Sequence, residues 1–351
     1  MAITAFMSGL DRTGPVNVKE TAILGVAPMA DLAILEDQYL QQVQDDTFDL
    51  WNEGLSREAY GRYYKAQVAT PWGRGHLVRL GLTEGAVVTA SAKRYAFDAS
   101  LDGRTIRVAG LGAVFTPQAH RRRGAARELI ERILEREAAG GADLALLFSE
   151  IGPDYYARIG FRPIATTDLS LRVIEDPRRG APMTLVRAGD DRDLADIVAM
   201  NRIRAEPFRF HLNRDRDLIH FAIAKKRLRA GLDVAGARQA QFFIAEEGAS
   251  AVAYVLIAVR DGEWTVSECG DRDPSGARVG AILQVLIARD PAERRPRITA
   301  WLPAGFRPRQ LEVTAEKPSR EVMMARPLTP QANAAIELAA SDLLYWHGDL
   351  F

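Results

Sequence analysis

Cysteine is almost absent from this sequence, which has a single one, Cys269, among 351 residues. One thiol can form neither an internal disulfide nor a zinc site built from cysteines. Long hydrophobic runs are also missing, since no apolar stretch reaches the roughly 20 residues that a membrane-spanning helix needs. The N-terminal segment has no basic stretch followed by an apolar core, so we expect no signal peptide. These absences predict a cytoplasmic protein without disulfides and without a membrane partner.

An excess of one charge is lacking as well, because 46 Lys+Arg balance 46 Asp+Glu and the formal net charge is +0. Nucleic-acid-binding proteins usually have a basic excess or a basic face, so we expect no nucleic-acid partner. The five histidines show no spacing that is typical of metal ligands, and we expect no metal; they are His76, His120, His211, His220 and His347. The sequence predicts no particular oligomeric state.

The length of the chain and its 47% hydrophobic residues favour two domains. Strands and helices alternate in both halves in a similar order, which predicts an α/β protein with mixed sheets and a degenerate structural repeat. The expected divisions are an N-terminal extension at 1–28, a first domain at 29–178, a second domain at 183–328, and a C-terminal helix with an aromatic tail at 329–351. A linker is expected at 173–182, where proline and charge cluster.

Hydrophobic periodicity predicts the individual elements. We expect helices over 29–46, 56–69, 280–289 and 331–345, a helix that follows the three arginines and ends at Gly140-Gly141, and a strand followed by a helix over 183–203. We expect strands over 76–82, 86–97, 106–116, 142–149, 263–270, 297–303 and 320–328, and a hairpin over 241–259.

The stretch HRRRGAARELIERIL places three arginines at the start of one predicted helix. The unpaired backbone N–H groups and the dipole of a helix N-terminus favour an anion there. Gly124 allows a ligand to approach the backbone, because glycine has no Cβ. The stretch is therefore either a cradle for a pyrophosphate or a basic surface turn before an ordinary helix. A single glycine does not decide between them.

These residues resemble the main motif of the GNAT acetyltransferases, Gln/Arg-x-x-Gly-x-Gly/Ala. The motif is matched by six consecutive residues: Arg121, Arg122, Arg123, Gly124, Ala125 and Ala126. The preceding AVFTPQAH is similar to the strand and turn before this motif in the family, and SEIGPDYYARIGF is similar to its closing segment. The resemblance is strong over about 50–178 and loose over 183–328. It implies a tandem GNAT-like fold whose second domain is degenerate.

The resemblance also implies acetyl-CoA as cosubstrate and a set of binding residues. The backbone of Val114, Phe115 and Thr116 would pair with pantetheine, and the amides from Arg122 to Arg127 would hold the pyrophosphate. Ser149 stands where many members carry Asn, and Tyr156 would be the general acid that protonates the departing thiolate. Without the resemblance, Tyr156 is equally a core tyrosine bonded to a backbone carbonyl.

A narrower resemblance concerns the acceptor. The segments VFTPQAHRRRGAA and LFSEIGPDYYARIGF are similar to those of fungal lysine acetyltransferases, and the tandem architecture with an aromatic tail is similar to the Eis-type acetyltransferases. These two resemblances imply transfer of an acetyl group to a primary amine of a small molecule such as lysine. The alternatives are a protein or peptide lysine acetyltransferase and a non-catalytic module that binds acyl-CoA and regulates a partner.

The residue that accepts the proton of the amine is left open by the sequence. The carboxylate of histone-type members would fall on Gly110, so it is missing here. The candidates are Glu150, a water and the α-carboxylate of Phe351, the last implied by the resemblance to the Eis-type enzymes. A tail that only packs is the alternative for Phe351. In the second half, Asp271 and Asp273 occupy the turn that corresponds to the arginines, so we expect no second cradle.

Overall fold

The computed structural model describes residues 30–174, 185–233, 236–349 and 351. They form two mixed β-sheets with nine and seven strands, covered by helices. The expected N-terminal extension at 1–28 and most of the predicted linker lie outside the described residues. No helix in the described part of the chain is long and apolar enough to cross a membrane.

The described residues of the first half, 30–174, contain seven strands and five helices. In chain order they are β1 (Asp31–Ile34), α1 (Asp37–Trp51), α2 (Arg57–Ala69), α3 (Pro71–His76), β2 (Leu77–Glu84), β3 (Val87–Leu101), β4 (Arg104–Phe115), α4 (Ala125–Ala139), β5 (Leu144–Ser149), α5 (Asp154–Ala157), β6 (Arg162–Ile164) and β7 (Thr167–Val173).

The remaining described residues contain nine strands and three helices. In chain order they are β8 (Leu185–Ala188), α6 (Leu194–Ala205), β9 (Phe210–Leu212), α7 (Arg216–Leu232), β10 (Arg238–Glu247), β11 (Ser250–Arg260), β12 (Glu263–Asp271), α8 (Ala277–Ile287), β13 (Ile298–Ala300), β14 (Leu311–Pro318), β15 (Val322–Pro327) and β16 (Leu343–Leu344).

The first predicted helix was placed too early. Residues 31–34 form an edge strand that pairs antiparallel with β2, where Ile34 lies opposite Leu80. The helix begins only at Asp37. The predicted helix 56–69 is confirmed, and the side chain of Ser56 caps it by accepting a hydrogen bond from the Ala59 amide at 3.2 Å.

The two sheets exchange strands. The first has the order β1-β2-β3-β4-β5-β15-β6, with β9 and β16 attached beside β3, and the second has the order β14-β7-β13-β12-β11-β10-β8. Strand β7 from the first half therefore lies in the second sheet, and β15 from the second half pairs with β5 and β6 in the first. The expected domain limits at 29–178 and 183–328 thus do not coincide with the sheets, since each sheet takes a strand from beyond the limit.

The structural repeat is visible in the middle of both sheets. In each half a long strand leads through a turn into a helix that starts after a left-handed glycine, Gly124 with φ 86° and Gly276 with φ 69°. The chain then returns as a parallel neighbour of that strand, β5 beside β4 and β13 beside β12. The expected mixed sheets and degenerate structural repeat are confirmed.

The predicted C-terminal helix is wrong. Residues 330–337, 340–342 and 347–349 form short 3-10 turns, with β16 between them pairing parallel with β9. The Thr329 hydroxyl donates a hydrogen bond to Asp143 at 2.9 Å and does not cap a helix. The segment packs between both halves, where Tyr345 is 6% and Trp346 is 2% exposed. Pairing of Leu343 and Leu344 with β9 and burial of Tyr345 and Trp346 thus outweigh the helical periodicity of the segment.

Candidate active site

Strands β4 and β5 separate at the point where the site begins. They pair from Val108↔Leu144 to Leu111↔Leu147, although β4 continues to Phe115 and β5 to Ser149. A bulge in β4 accompanies the separation, with φ 48° at Ala113 and a register shift against β3. Beyond it, Val114 and Thr116 are half-buried while Phe115 is buried against the ring of Trp51. The separated strands leave backbone groups available to an extended ligand.

The arginine turn forms an open helix N-terminus. Positive φ angles at Arg122 and Gly124 turn the backbone before α4, and no side chain caps the helix. A methyl group placed on Gly124 would meet nothing within 4 Å, so the space in front of the turn is open. The side chains of Arg122, Arg123 and Arg127 are exposed, while Ala125 and Ala126 are half-buried. Arg121 has a different role from that expected, because its Nε donates to the Thr116 carbonyl at 3.0 Å and closes the turn.

The corresponding turn of the second half is filled by its own residues. Asp271 Oδ2 accepts hydrogen bonds from the amides of Arg278 at 2.8 Å and Val279 at 3.3 Å. A methyl group on Gly276 would lie 2.6 Å from the ring of Phe306. The amides that would hold a phosphate are therefore already bonded to a carboxylate. This is a more direct reason than charge repulsion for expecting no ligand at this turn.

Tyr156 is 8% exposed at the end of the short helix α5, with its ring edge-on to Phe161 at 6.0 Å. Its hydroxyl has no hydrogen-bond partner within the described residues, so it is not the carbonyl-bonded tyrosine that was the alternative. Burial raises the pKa of Tyr156 to about 12, which keeps the phenol protonated. Ser149 is committed locally, because its Oγ donates to the Gly152 carbonyl at 2.6 Å.

Phe351 lies against two glycines of β4. A methyl group on Gly110 would come within 2.8 Å of its ring, and one on Gly112 would come within 2.8 Å of its carbonyl carbon and 2.9 Å of its oxygen. The ring also packs against Tyr95, Phe97 and Phe148, with centroid distances of 5.0, 5.4 and 5.3 Å. We call this the Phe351 seat. Its sequence signal is the pair of glycines inside a strand, which often marks close approach of another backbone.

Two basic residues, Arg79 and Lys93, lie beside this seat and were not among the residues predicted from the sequence. Arg79 on β2, Lys93 on β3 and Gly112 on β4 lie directly opposite one another across the sheet. Arg79 is buried and donates to the Ala113 carbonyl at 3.3 Å. The Lys93 ammonium lies 5.5 Å from the ring centroid of Tyr64. Burial and the charge of Arg79 lower the pKa of Lys93 to about 7.

The other candidate base, Glu150, is exposed in the bend after β5. Within the described residues, no group of three or more His, Cys, Asp or Glu side chains could hold a metal ion.

Residues 40–164 match the model of the family described as acetyltransferase (GNAT) domain. These residues form a GNAT acetyltransferase domain. The match covers α1 to β6, including the separated strands, the open turn and Tyr156. The match indicates an acyltransferase domain of the GNAT type in this part of the chain, and the GNAT fold uses an acyl-CoA as cosubstrate.

Similarity of fold extends over most of the chain. A probable N-acyltransferase from Enterococcus faecalis V583 is 14% identical with a TM-score of 0.62, covering 85% of this chain and 73% of its own. A GCN5-related N-acetyltransferase from Kribbella flavida is 19% identical with a TM-score of 0.61, covering 85% and 71%. Eis1 from Mycobacterium abscessus is 17% identical with a TM-score of 0.55, covering 87% and 76%. A search of curated proteins found no match. The resemblance to fungal lysine acetyltransferases stays a prediction.

Proposed function

We propose that this protein is an acetyl-CoA-dependent N-acetyltransferase that modifies a primary amine of a small molecule such as lysine. One observation carries the proposal: the open N-terminus of α4 and the Phe351 seat both lie at the end of β4, where β4 leaves β5. An anion site and a candidate base are thus held by the same strand. The acceptor itself is inferred from the resemblance.

The residues present fit acetyl-CoA. Amides from Arg122 to Arg127 would hold the pyrophosphate at the uncapped helix, and the backbone of Val114, Phe115 and Thr116 would bind pantetheine along β4. The cosubstrate supplies the activated acetyl group. Ser149 would contribute only as an acceptor, because its proton is used by the Gly152 carbonyl.

The acceptor nitrogen loses two protons in this reaction, one before it attacks and one as the amide forms, and the departing thiolate gains one. An alkylammonium has a pKa near 10, so the amine has to lose a proton before it attacks. We assign this proton to the α-carboxylate of Phe351, which lies at Gly112 where β4 opens. Tyr156 donates a proton to the departing thiolate, a role that suits a phenol held protonated by burial.

The test is turnover of acetyl-CoA, measured as release of free thiol, with a panel of amines. The panel contains lysine, diamino acids, polyamines, aminoglycosides and a lysine-containing peptide. Release with a small amine but not with the peptide supports the proposal. Turnover with the peptide alone indicates a protein acetyltransferase, and binding of acetyl-CoA without turnover of any amine indicates a non-catalytic module.

A further inference from the structure

We propose that the second half of the chain positions the C-terminal carboxylate, through an ion pair in which Arg214 holds Asp349 two residues before Phe351. The inference rests on the proposed function and adds to it two positioning residues, Arg214 and Asp349, which act on the reaction through the α-carboxylate of Phe351. It also gives the second half a role, although the turn before α8 is filled by Asp271.

Arg214 is the centre of a buried cluster of charges. It precedes α7, and its Nη2 lies 2.6 Å from Glu268 Oε2 on β12 and 3.3 Å from Asp349 Oδ1 in the tail. Its Nη1 donates a hydrogen bond to Asn201 Oδ1 on α6 at 3.0 Å. The side chains of Arg214, Glu268 and Asp349 are at most 4% exposed. The guanidinium thus joins two elements of the second half to the tail.

The last turn of the tail is also fixed on either side of this ion pair. Trp346 Nε1 donates a hydrogen bond to Asn201 Oδ1 at 3.3 Å. The Tyr345 hydroxyl donates to the Asp349 carbonyl at 2.9 Å. A methyl group on Gly348 would lie 3.3 Å from a carbonyl oxygen of β12, so the turn lies closely against that strand. The tail is therefore held by side chain and backbone as far as Asp349.

The chain from this anchor to the reacting end is short. Two extended residues span about 7 Å at most, so an anchored Asp349 confines Phe351 to a small region. Within that region the ring of Phe351 packs against Phe148, with a centroid distance of 5.3 Å, and its carbonyl group lies at Gly112. The anchor thus limits where the α-carboxylate can lie at the end of β4.

A buried ion cluster suits the placing of a segment better than its stabilisation. Removing three charged side chains from water offsets most of their mutual attraction, so apolar residues of equal volume would stabilise the tail as well. Apolar contacts permit several arrangements, whereas charges and hydrogen bonds with fixed partners favour one. A carboxylate that accepts a proton needs a single arrangement, because catalysis falls steeply when reacting groups are displaced by about 1 Å.

Asp349→Asn tests the anchor, because it keeps the shape of the side chain and removes the charge that faces Arg214. Glu268 still balances Arg214 in this variant, so the melting temperature should change little. We expect carboxypeptidase to release Phe351 about tenfold faster, since loss of one charged contact increases the population of the open tail by about that factor. Mass spectrometry of the protein measures this rate. With an amine that supports turnover, kcat should fall by a similar factor while the affinity for acetyl-CoA stays normal.

Two further variants separate position from packing. Tyr345→Phe removes the hydrogen bond to the Asp349 carbonyl and keeps the ring, so it should change both rates in the same direction. Asp342→Asn is the matched control, because Asp342 lies in the same tail before β16 and pairs with Arg209, at 3.5 Å, in a more exposed place. This variant should leave both rates unchanged.

A double-mutant cycle shows whether the anchor acts through the carboxylate. A few residues appended after Phe351 remove the carboxylate, so adding Asp349→Asn to that protein should not lower kcat further. An equal loss in both backgrounds, or unchanged kcat or unchanged release of Phe351 in Asp349→Asn, would overturn the positioning role while leaving acetyl transfer itself intact. If no amine releases thiol, the proposed function fails and the release of Phe351 alone decides. Faster release in Asp349→Asn then supports the anchor, and equal release overturns it.

Discussion

At the scale of single residues, Gly112 leaves room for the C-terminal residue Phe351 to lie against the end of β4. A side chain there would occupy the space that the carbonyl group of Phe351 now fills, since even a methyl group would lie 2.8 Å from its carbonyl carbon. Backbone atoms at that distance cannot give way without moving the tail. The absence of a side chain on Gly112 is thus part of the site.

Gly112→Ala should therefore displace Phe351 and lower kcat by about tenfold or more, the usual range for loss of a general base. Binding of acetyl-CoA should stay close to normal, because the α4 turn is unchanged. Steady-state kinetics and calorimetry measure the two effects. Gly75→Ala is the control, since a methyl group at that exposed helical position meets nothing within 4 Å. Unchanged kcat in Gly112→Ala would remove Phe351 from the chemistry.

Tyr156→Phe should lower kcat by roughly tenfold or more, a modest share of the contribution of general acids. The ring contacts with Phe161 remain, so acetyl-CoA binding and the melting temperature should change little. Tyr155→Phe is the matched control, because Tyr155 is the adjacent, less buried tyrosine of the same short helix. If both variants keep full activity, Tyr156 is only a packing residue.

Lys93 should make the stability of the protein depend on pH. Its pKa falls from 10.5 to about 7 on folding, so between these values the unfolded chain binds more protons than the folded one. Stability must therefore rise with pH across this window, and the cost of burying the charged form is complete below about pH 7. The facing groups are Arg79 from β2, Tyr64 from α2 and Lys225 from α7.

Lys93→Met should thus raise the melting temperature more at about pH 7 than at about pH 10, where the lysine is neutral in the folded state. Thermal unfolding at both pH values measures the difference. Lys317→Met gives the reference for loss of an exposed lysine charge. A variant that gains equal stability at both pH values would show that Lys93 is not buried in its charged form.

At the scale of elements, prediction from sequence succeeds where the signals are local. The helix at 56–69 and the helix that follows the three arginines are set by periodicity within a few residues, and the structure has helices at both places. It fails where partners are distant in sequence. Residues 31–34 are a strand only because β2 lies beside them, and the periodic segment 331–345 is held by β9 and by both sheets.

The contrast between the starts of α4 and α8 predicts one acetyl-CoA per chain. Gly124→Val should abolish binding, because its side chain would enter the open space before the turn and its φ of 86° is strained for any other residue. Gly103→Val is the matched control, with φ 76° and equally open surroundings in a distant turn. Calorimetry measures stoichiometry and affinity. Two equivalent sites, or normal binding in Gly124→Val, would contradict the assignment.

At the scale of the whole molecule, the sheets interlock and the tail joins them, which the sequence order does not reveal. The separated strands and the arginine turn lie within one βαβ unit, so their part of the site could be predicted. The seat of Phe351 needs Tyr95, Phe148 and the β4 glycines together, and helix α7 from the second half packs against α2 and α3. Residues that are distant in sequence and meet only in the folded chain leave no periodic pattern. The sequence therefore predicted only that the apolar tail packs against the rest of the protein.

The last prediction separates the carboxylate of Phe351 from its ring. Appending a few residues after Phe351 converts the carboxylate into a neutral amide, while the ring can keep its contacts with Tyr95, Phe97 and Phe148. We expect kcat/KM to fall sharply and the melting temperature to change little, because most apolar burial is retained. Deleting Leu350 and Phe351 should lower kcat/KM as strongly and also reduce stability, since the ring is lost. The same residues appended at the N-terminus control for the extension itself. If the extended protein turns over normally, the seat stabilises the tail only, and the proton of the amine passes to Glu150 or to water.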